Sequence, residues 1–388
     1  MIWRRILIYA LLFVAVACFL ACSSGIKAVK HFQYQPDGWD MFRDNPAGVA
    51  DSNISLRNIN ALIWSRKSKG QIYASPVIND GLGVIPALDR RIYLFDPATG
   101  DGIGKIKMNS SSSSSPALAE NLLYVASEAG DGRLRCINIT RGMEVWAMEL
   151  GDVSAPIILH DRTLFVGNYG GDFYSINRFT GDVNWTHRTG GLIRGGAAVA
   201  DGRVYVGSTD GYLYCLDIDS GDVAWKFRAE SAIFTTPALS NLCFVTTFDG
   251  LLFALDPASG DEVWRFQTEG NVFSSPVADG EAVYFGSNDG NLYSLSSRDG
   301  FVLWRFQTES IVTATPLVSS DAVVIGSSDA NVYFIDKGTG REFFSYTTSS
   351  RIESSPVYYD GMVFIASADR HLYCFGQSGT AMSARIAP

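Results

Sequence analysis

After residue 60 the chain alternates apolar and polar residues in short runs, and each run ends at a turn made of Gly, Asp, Asn, Pro or Ser. The stretch from Thr235 to Trp264 is typical. Thr235-Thr236-Pro237-Ala238-Leu239 predicts one strand and Cys243-Phe244-Val245-Thr246-Thr247 a second, while Asp249-Gly250 supplies a tight hairpin turn. Leu251-Leu252-Phe253-Ala254-Leu255 predicts a third strand, closed by Asp256-Pro257-Ala258-Ser259-Gly260, and Val263-Trp264-Arg265-Phe266 a fourth. The unit recurs at about 40 residues. Trp64, Trp146, Trp185, Trp225, Trp264 and Trp304 mark it, with Gly104 and Phe344 in the two vacant places. A second series keeps step with the first: Pro76, Pro116, Pro156, Pro237, Pro276, Pro316 and Pro356, with Ala197 as the missing member. Both series count to eight.

Four antiparallel strands per copy and eight copies predict an all-β, eight-bladed β-propeller over residues 60–380. No helical periodicity follows the N-terminal segment, which excludes a helical solenoid. Closure is legible in the ends of the repeat. A Trp strand around Ile63-Trp64-Ser65 precedes the first proline strand, and the last copy stops after Leu372-Tyr373-Cys374-Phe375 without one. The N-terminal strand therefore completes the eighth blade and removes the free end that an open array would leave. A Trp present in nearly every copy serves every blade, so the series reads as wedges between blades and not as a ligand cage.

The N-terminus has a different pattern. Arg4 and Arg5 precede an uncharged, mostly apolar run from Ile6 to Ala21, shorter than the about 20 residues of a bilayer span. This predicts an export signal over residues 1–21, with residues 22–59 as a strap and 381–388 as a tail. Phe19-Leu20-Ala21-Cys22 resembles a bacterial lipobox, which implies lipidation of Cys22 and a membrane tether; Leu is usual where Phe19 stands. Ala15-Val16-Ala17-Cys18 is a competing site, and an uncleaved anchor is the alternative. Each reading puts the propeller outside the cytoplasm.

Composition narrows the partners. A net charge of −9 argues against nucleic acid or an anionic lipid surface, and four His leave little for a histidine metal site. Export permits disulfides. However, Cys136, Cys215 and Cys374 share one repeat position that elsewhere holds Ser175, Ala254 or Ser294, so these and Cys243 read as buried thiols.

The run Leu213-Tyr214-Cys215-Leu216-Asp217-Ile218-Asp219-Ser220-Gly221-Asp222-Val223-Ala224-Trp225 resembles the Trp-containing repeat of quinoprotein-like propellers. That resemblance spans about residues 60–380 and implies two kinds of relative. One is the dehydrogenases that bind pyrroloquinoline quinone with Ca²⁺; the other is the BamB family of lipoproteins in the outer-membrane β-barrel assembly machine. The dehydrogenases are typified by adjacent cysteines, a Glu, Asn and Asp set on Ca²⁺, and an Asp base. This chain has no Cys-Cys pair and no Cys-x-x-Cys-His haem motif, and Asp210, Asp249 and Asp289 sit in Asp-Gly turns. Trp39-Asp40-Met41-Phe42-Arg43-Asp44-Asn45-Pro46 pulls the other way, since it looks like the entry segment of secreted quinoprotein-like proteins; otherwise it is a strap packed on the propeller. No cofactor is expected. For the BamB family the resemblance implies docking through a Leu-Arg-Gly stretch, which Leu192-Ile193-Arg194-Gly195 is similar to, and through two Asp before a Thr-Thr-Pro. Here Ala232 and Phe234 stand in place of those Asp residues.

Function in a repeat protein concentrates where copies disagree at an exposed position. The residue three before the proline does so, reading Tyr73, Ser113, Val153, Arg194, Phe234, Phe273, Thr313 and Glu353, after a mostly apolar place and before mostly small ones. These are expected at the start of the innermost strand, on the rim of the central channel, with the hairpin residues Tyr169, Phe248 and Asn288 on the same face. Tyr73, Leu192, Arg194, Phe234, Phe273 and Glu353 are the candidate partner-binding residues, suited to a peptide, loop or strand. Plugging of the channel is the alternative role. The expectation is a non-catalytic, monomeric, lipid-anchored scaffold at the outer membrane, facing the periplasm. A quinone- or small-ligand-binding secreted propeller is the competing reading.

Overall fold

A computed structural model describes residues 28–29, 32–35, 38–50, 53–128 and 130–379. Cys22, Cys18, the export signal and the 381–388 tail lie outside the described residues. Eight four-stranded antiparallel sheets form the blades of the propeller. Blades 1 to 7 follow the chain from Val77 to Thr347. Blade 8 is made of Val357–Tyr359, Met362–Ala366 and His371–Gly376, and its outermost strand is Ala61–Lys67 from the other end of the chain. Trp64 there pairs with Cys374, so the two ends of the repeat are sealed by a strand of backbone hydrogen bonds.

Blade 5 carries strands Ala238–Leu239, Cys243–Thr246, Leu251–Leu255 and Glu262–Gln267. The innermost strand starts after Pro237, later than the alternation predicts. Pro237 has no N–H for a ladder, and the N–H of Thr236 goes sideways to Ser275 Oγ of the next blade at 3.0 Å. The same sideways bond joins Ser75 to Ser115 Oγ at 3.0 Å, Gly196 to Thr236 Oγ1 at 2.7 Å and Thr315 to Ser355 Oγ at 3.1 Å. At these four seams a Ser or Thr before the proline thus stitches neighbouring blades around the channel.

At the outside the Trp series does the stitching. Each indole N–H donates to a carbonyl in the turn between third and outer strands of the next blade: Trp64 to Pro97, Trp146 to Arg178, Trp185 to Ile218, Trp225 to Pro257, Trp264 to Ser297 and Trp304 to Lys337, all within 2.8–3.1 Å. The ring lies on the glycine of that turn. A Cβ on Gly221, whose φ is +75°, would stand 2.6 Å from Trp185, so only glycine satisfies both the backbone angle and the contact. The residue paired with each Trp is small (Cys374, Cys136, Ser175, Cys215, Ala254 or Ser294), whereas Leu94 faces Gly104 and Phe334 faces Phe344. Cys136, Cys215, Cys243 and Cys374 are buried free thiols; burial pushes Cys215 up to about 11, away from the reactive thiolate.

The strap closes the channel on its lower face, where the turns between inner and second strands lie. Trp39 bridges to Ile78 of blade 1, and the N–H groups of Leu118, Val199 and Leu239 donate to the carbonyls of Asp40, Pro46 and Ala47. Trp39 to Pro46 is therefore a plug seated on the inner strands. Arg43 at its centre is buried and donates to the carbonyls of Pro237 at 2.8 Å, Pro276 at 3.0 Å and Thr236 at 3.4 Å. Burial lowers its pKa to about 9, which leaves it charged at neutral pH.

Candidate functional site

The upper face is built from two kinds of loop: the entry segment that precedes each innermost strand, and the hairpin between second and third strands. One buried residue anchors each entry segment, apolar in every blade but the second, where it is Ser112. Ile193, Ile233, Val312 and Ile352 are fully buried, and their N–H groups donate to hairpin carbonyls of the preceding blade, Asn168, Ser208, Ser287 and Ser327, at 3.0–3.1 Å. With that residue anchored, the next one in sequence is turned out at the rim. Arg194 and Glu353 are exposed there, and Tyr73, Phe234 and Phe273 are half-buried. They stand in the entry segments, ahead of the strands and not at their first residues. Val153 does not belong to this series. It is fully buried and bonded to Ser127 O, in the place of the anchoring residue. Blade 3 is one residue shorter between this anchor and its proline, so Ser154 takes the rim position.

Three of the candidates come together across blades 4 to 6. Phe234 and Phe273 stack with centroids 5.6 Å apart at 27°, and the hairpin residue Phe248 sets its edge against both, at 5.7 and 5.5 Å. The guanidinium of Arg194 lies 5.5 Å from the Phe234 ring and 5.9 Å from the Tyr169 ring. The Arg-Gly-Gly sequence makes this approach possible. A Cβ on Gly195 would fall 2.3 Å from the Thr235 carbonyl, so any other residue would push the segments carrying Arg194 and Phe234 apart. Beneath the pile Arg43 holds the carbonyls of Thr236, Pro237 and Pro276, two to three residues after Phe234 and Phe273. Leu192 is 40% exposed, its backbone fixed by a 2.7 Å bond from its N–H to Thr209 Oγ1.

Tyr73 and Glu353 form a separate group. They belong to blades 1 and 8, diametrically across an eightfold ring from blades 5 and 4. Arg351 ties them, pairing with Glu353 through Nε and donating to the Tyr73 hydroxyl at 3.3 Å; the Glu353 carboxylate beside it raises the Arg351 pKa. The single continuous rim expected from the sequence is thus two patches. Sequence reasoning left Arg351 out because it precedes the anchoring residue, and it gave Phe248 and Tyr169 the right face but no part in the cluster.

The hairpin Asp residues are engaged in structure. Asp210, Asp289, Asp329 and Asp369 accept from the hydroxyls of Tyr214, Tyr293, Tyr333 and Tyr373 at 2.5–2.8 Å and from backbone N–H groups of the adjoining entry segments. Burial first, and these bonds next, hold the tyrosines protonated. Blade 5 departs from the rule: Phe253 replaces the Tyr, Asp249 turns to Thr247 Oγ1 at 2.6 Å, and the exposed ring of Phe248 follows. Among the described residues no group of His, Cys, Asp and Glu side chains could hold a metal ion.

Comparison with known proteins decides the family. A model described as outer membrane protein assembly factor BamB matches residues 57–227, 188–305, 231–342 and 309–381, nearly the whole propeller. The chain belongs to this BamB family. No curated protein sequence matches it. Among solved structures, BamB from Moraxella catarrhalis superposes with a TM-score of 0.70 at 16% identity, covering 83% of this chain and 99% of that one. The computationally designed Ika8 protein gives 0.71 at 19% identity over 80% and 98% of the two chains. A quinohemoprotein alcohol dehydrogenase from Pseudomonas putida gives 0.76 at 14% identity over 91% and 82%. At these identities the likeness is one of fold, shared alike by a BamB, a dehydrogenase and a design. The repeat that this BamB-family chain shares with them is architecture.

Proposed function

We propose that this chain is a non-catalytic scaffold of the cell envelope. It is tethered through lipid on Cys22, faces the periplasm from the outer membrane, and assists assembly of outer-membrane β-barrel proteins by holding a protein partner on its upper rim. The observation that carries the reading is the pile of Phe234, Phe248 and Phe273 capped by Arg194, because it stands where the copies differ and adjoins Leu192-Ile193-Arg194-Gly195. Aromatic rings and an arginine are the side chains that dominate protein-binding energetics. With Ala232 and Phe234 where the family resemblance leads one to expect acids, the patch is cationic and apolar, and it suits a partner segment that carries a carboxylate beside an apolar side chain.

The reading includes no resident quinone. In support, the strap leaves a cavity of only about 30 Å³ beside Arg43, room for a single water, and the wider cleft of about 330 Å³ on its other side lies outward, among Tyr34, Asp40, Glu120, His160 and Arg178. The four described cysteines are buried free thiols and no two of them are adjacent in the sequence. These residues do not fit a quinone held with Ca²⁺. A crosslinked pull-down of the full chain from membranes of the source bacterium tests the proposal. Recovery of the barrel-assembly complex is the expected result. Its absence, together with a visible absorbance change when the purified protein takes up pyrroloquinoline quinone and Ca²⁺, would overturn it.

A further inference from the structure

Two of the eight blade seams lack the Trp wedge, and one of them is filled by another part of the chain. Blade 1 carries Gly104 where the Trp should be, so no indole reaches the turn of blade 2. The carbonyl equivalent to the indole acceptor in that turn is Ile139 O, and it receives the N–H of Val29 instead, at 2.9 Å. Phe32 is buried in the apolar cluster of this seam with Ile106, Ile137 and Ile139, and Val29 packs against the same cluster. The segment then runs inward along the lower face, with the Gln35 N–H on Asn79 Oδ1 at 2.8 Å and the Tyr34 hydroxyl on Asp40 at 2.5 Å. An apolar ring and an N–H donor from the N-terminal segment thus replace the ring and donor that Gly104 lacks.

We infer that the notch at Gly104 is a docking site for this chain's own N-terminal segment, and that it fixes where the tether leaves the propeller. The exit lies at the lower edge of the seam between blades 1 and 2, on the face opposite the aromatic rim. The second clause rests on the lipidation of Cys22. Val29 lies seven residues after Cys22, a span of at most about 25 Å, so the docked segment holds the lower face toward the membrane and leaves the rim turned away from it.

Hydrogen exchange on the full chain tests the latch without any lipid. Val29 should exchange about tenfold or more slowly than an open amide, independently of protein concentration. Filling the notch by Gly104→Trp, or removing the buried ring by Phe32→Asp, should abolish that protection while the blade strands stay protected. Val29 exchanging freely in the unaltered chain, protection that survives both variants, or protection found only in a dimer would overturn the latch. The pose is read separately on lipidated protein in vesicles, with a dye at Arg141→Cys on the lower face or Glu269→Cys on the upper. A membrane-borne quencher should act several-fold more strongly on the lower dye, and Gly104→Trp should erase the difference. Equal quenching of the two dyes in bound protein overturns the pose. Failure of the protein to bind vesicles, with the exchange pattern intact, overturns the lipidation and leaves the latch standing.

Discussion

The outer seams and the upper rim are made from the same eight copies, yet they obey opposite rules. At six of the eight seams the same chemistry recurs: an indole, a left-handed glycine beneath it and a small residue paired with it. At the rim a single position changes from tyrosine to arginine, phenylalanine or glutamate beside anchors that stay buried and, Ser112 excepted, apolar. Every blade needs its seam to close the ring, so variation there is costly. Nothing in the closure depends on what an anchored loop turns outward, and that freedom is where a binding surface develops.

This contrast is open to challenge at both ends. The largest effect belongs to the seam. Trp225→Ala removes a wedge between blades 4 and 5 and a 3.1 Å bond to Pro257 O, and should cost about 3–5 kcal/mol in urea unfolding; a loss below about 1 kcal/mol would take the Trp out of the architecture. The plug comes next. Burial raises Asp40 from 3.8 to about 6. Since the folded value lies above the unfolded one, this group's contribution is full below pH 4 and is lost as pH rises through about 6, by about 3 kcal/mol. Asp40→Asn should flatten that decline between pH 4 and 7, and an unchanged slope would clear Asp40 of it. Gly221→Ala forces a Cβ onto Trp185 at a left-handed backbone position and should cost about 1–2 kcal/mol. Against these, Arg194→Glu with Phe234→Ala should change stability by no more than about 0.5 kcal/mol. A large loss in that double variant would make the rim another part of the architecture.

The fold was legible because its signals are local and repeated: alternation, Asp-Gly turns and two series in step give the strands, the count and the closing strand. Val153 went astray for the same reason, since counting back from a proline hides a one-residue deletion that the buried anchor reveals. The division of the rim follows from ring geometry, because blades 8 and 1 are neighbours only after closure. Arg43 left no mark in the sequence as a central tie, as its partners are backbone carbonyls that any residue would supply. Gly104 looked like a mere gap in the Trp series until Val29 was found on the vacant acceptor.

The most direct test sets the two regions against each other in one assay. The full chain, the Arg194→Glu and Phe234→Ala double variant, and a Tyr73→Ala control from the opposite patch are crosslinked in membranes and compared for recovery of the partner. The account predicts that the unaltered chain and the control recover it, while the double variant melts normally and recovers none. Equal recovery by the double variant would contradict the claim that function resides where the copies in blades 4 to 6 disagree.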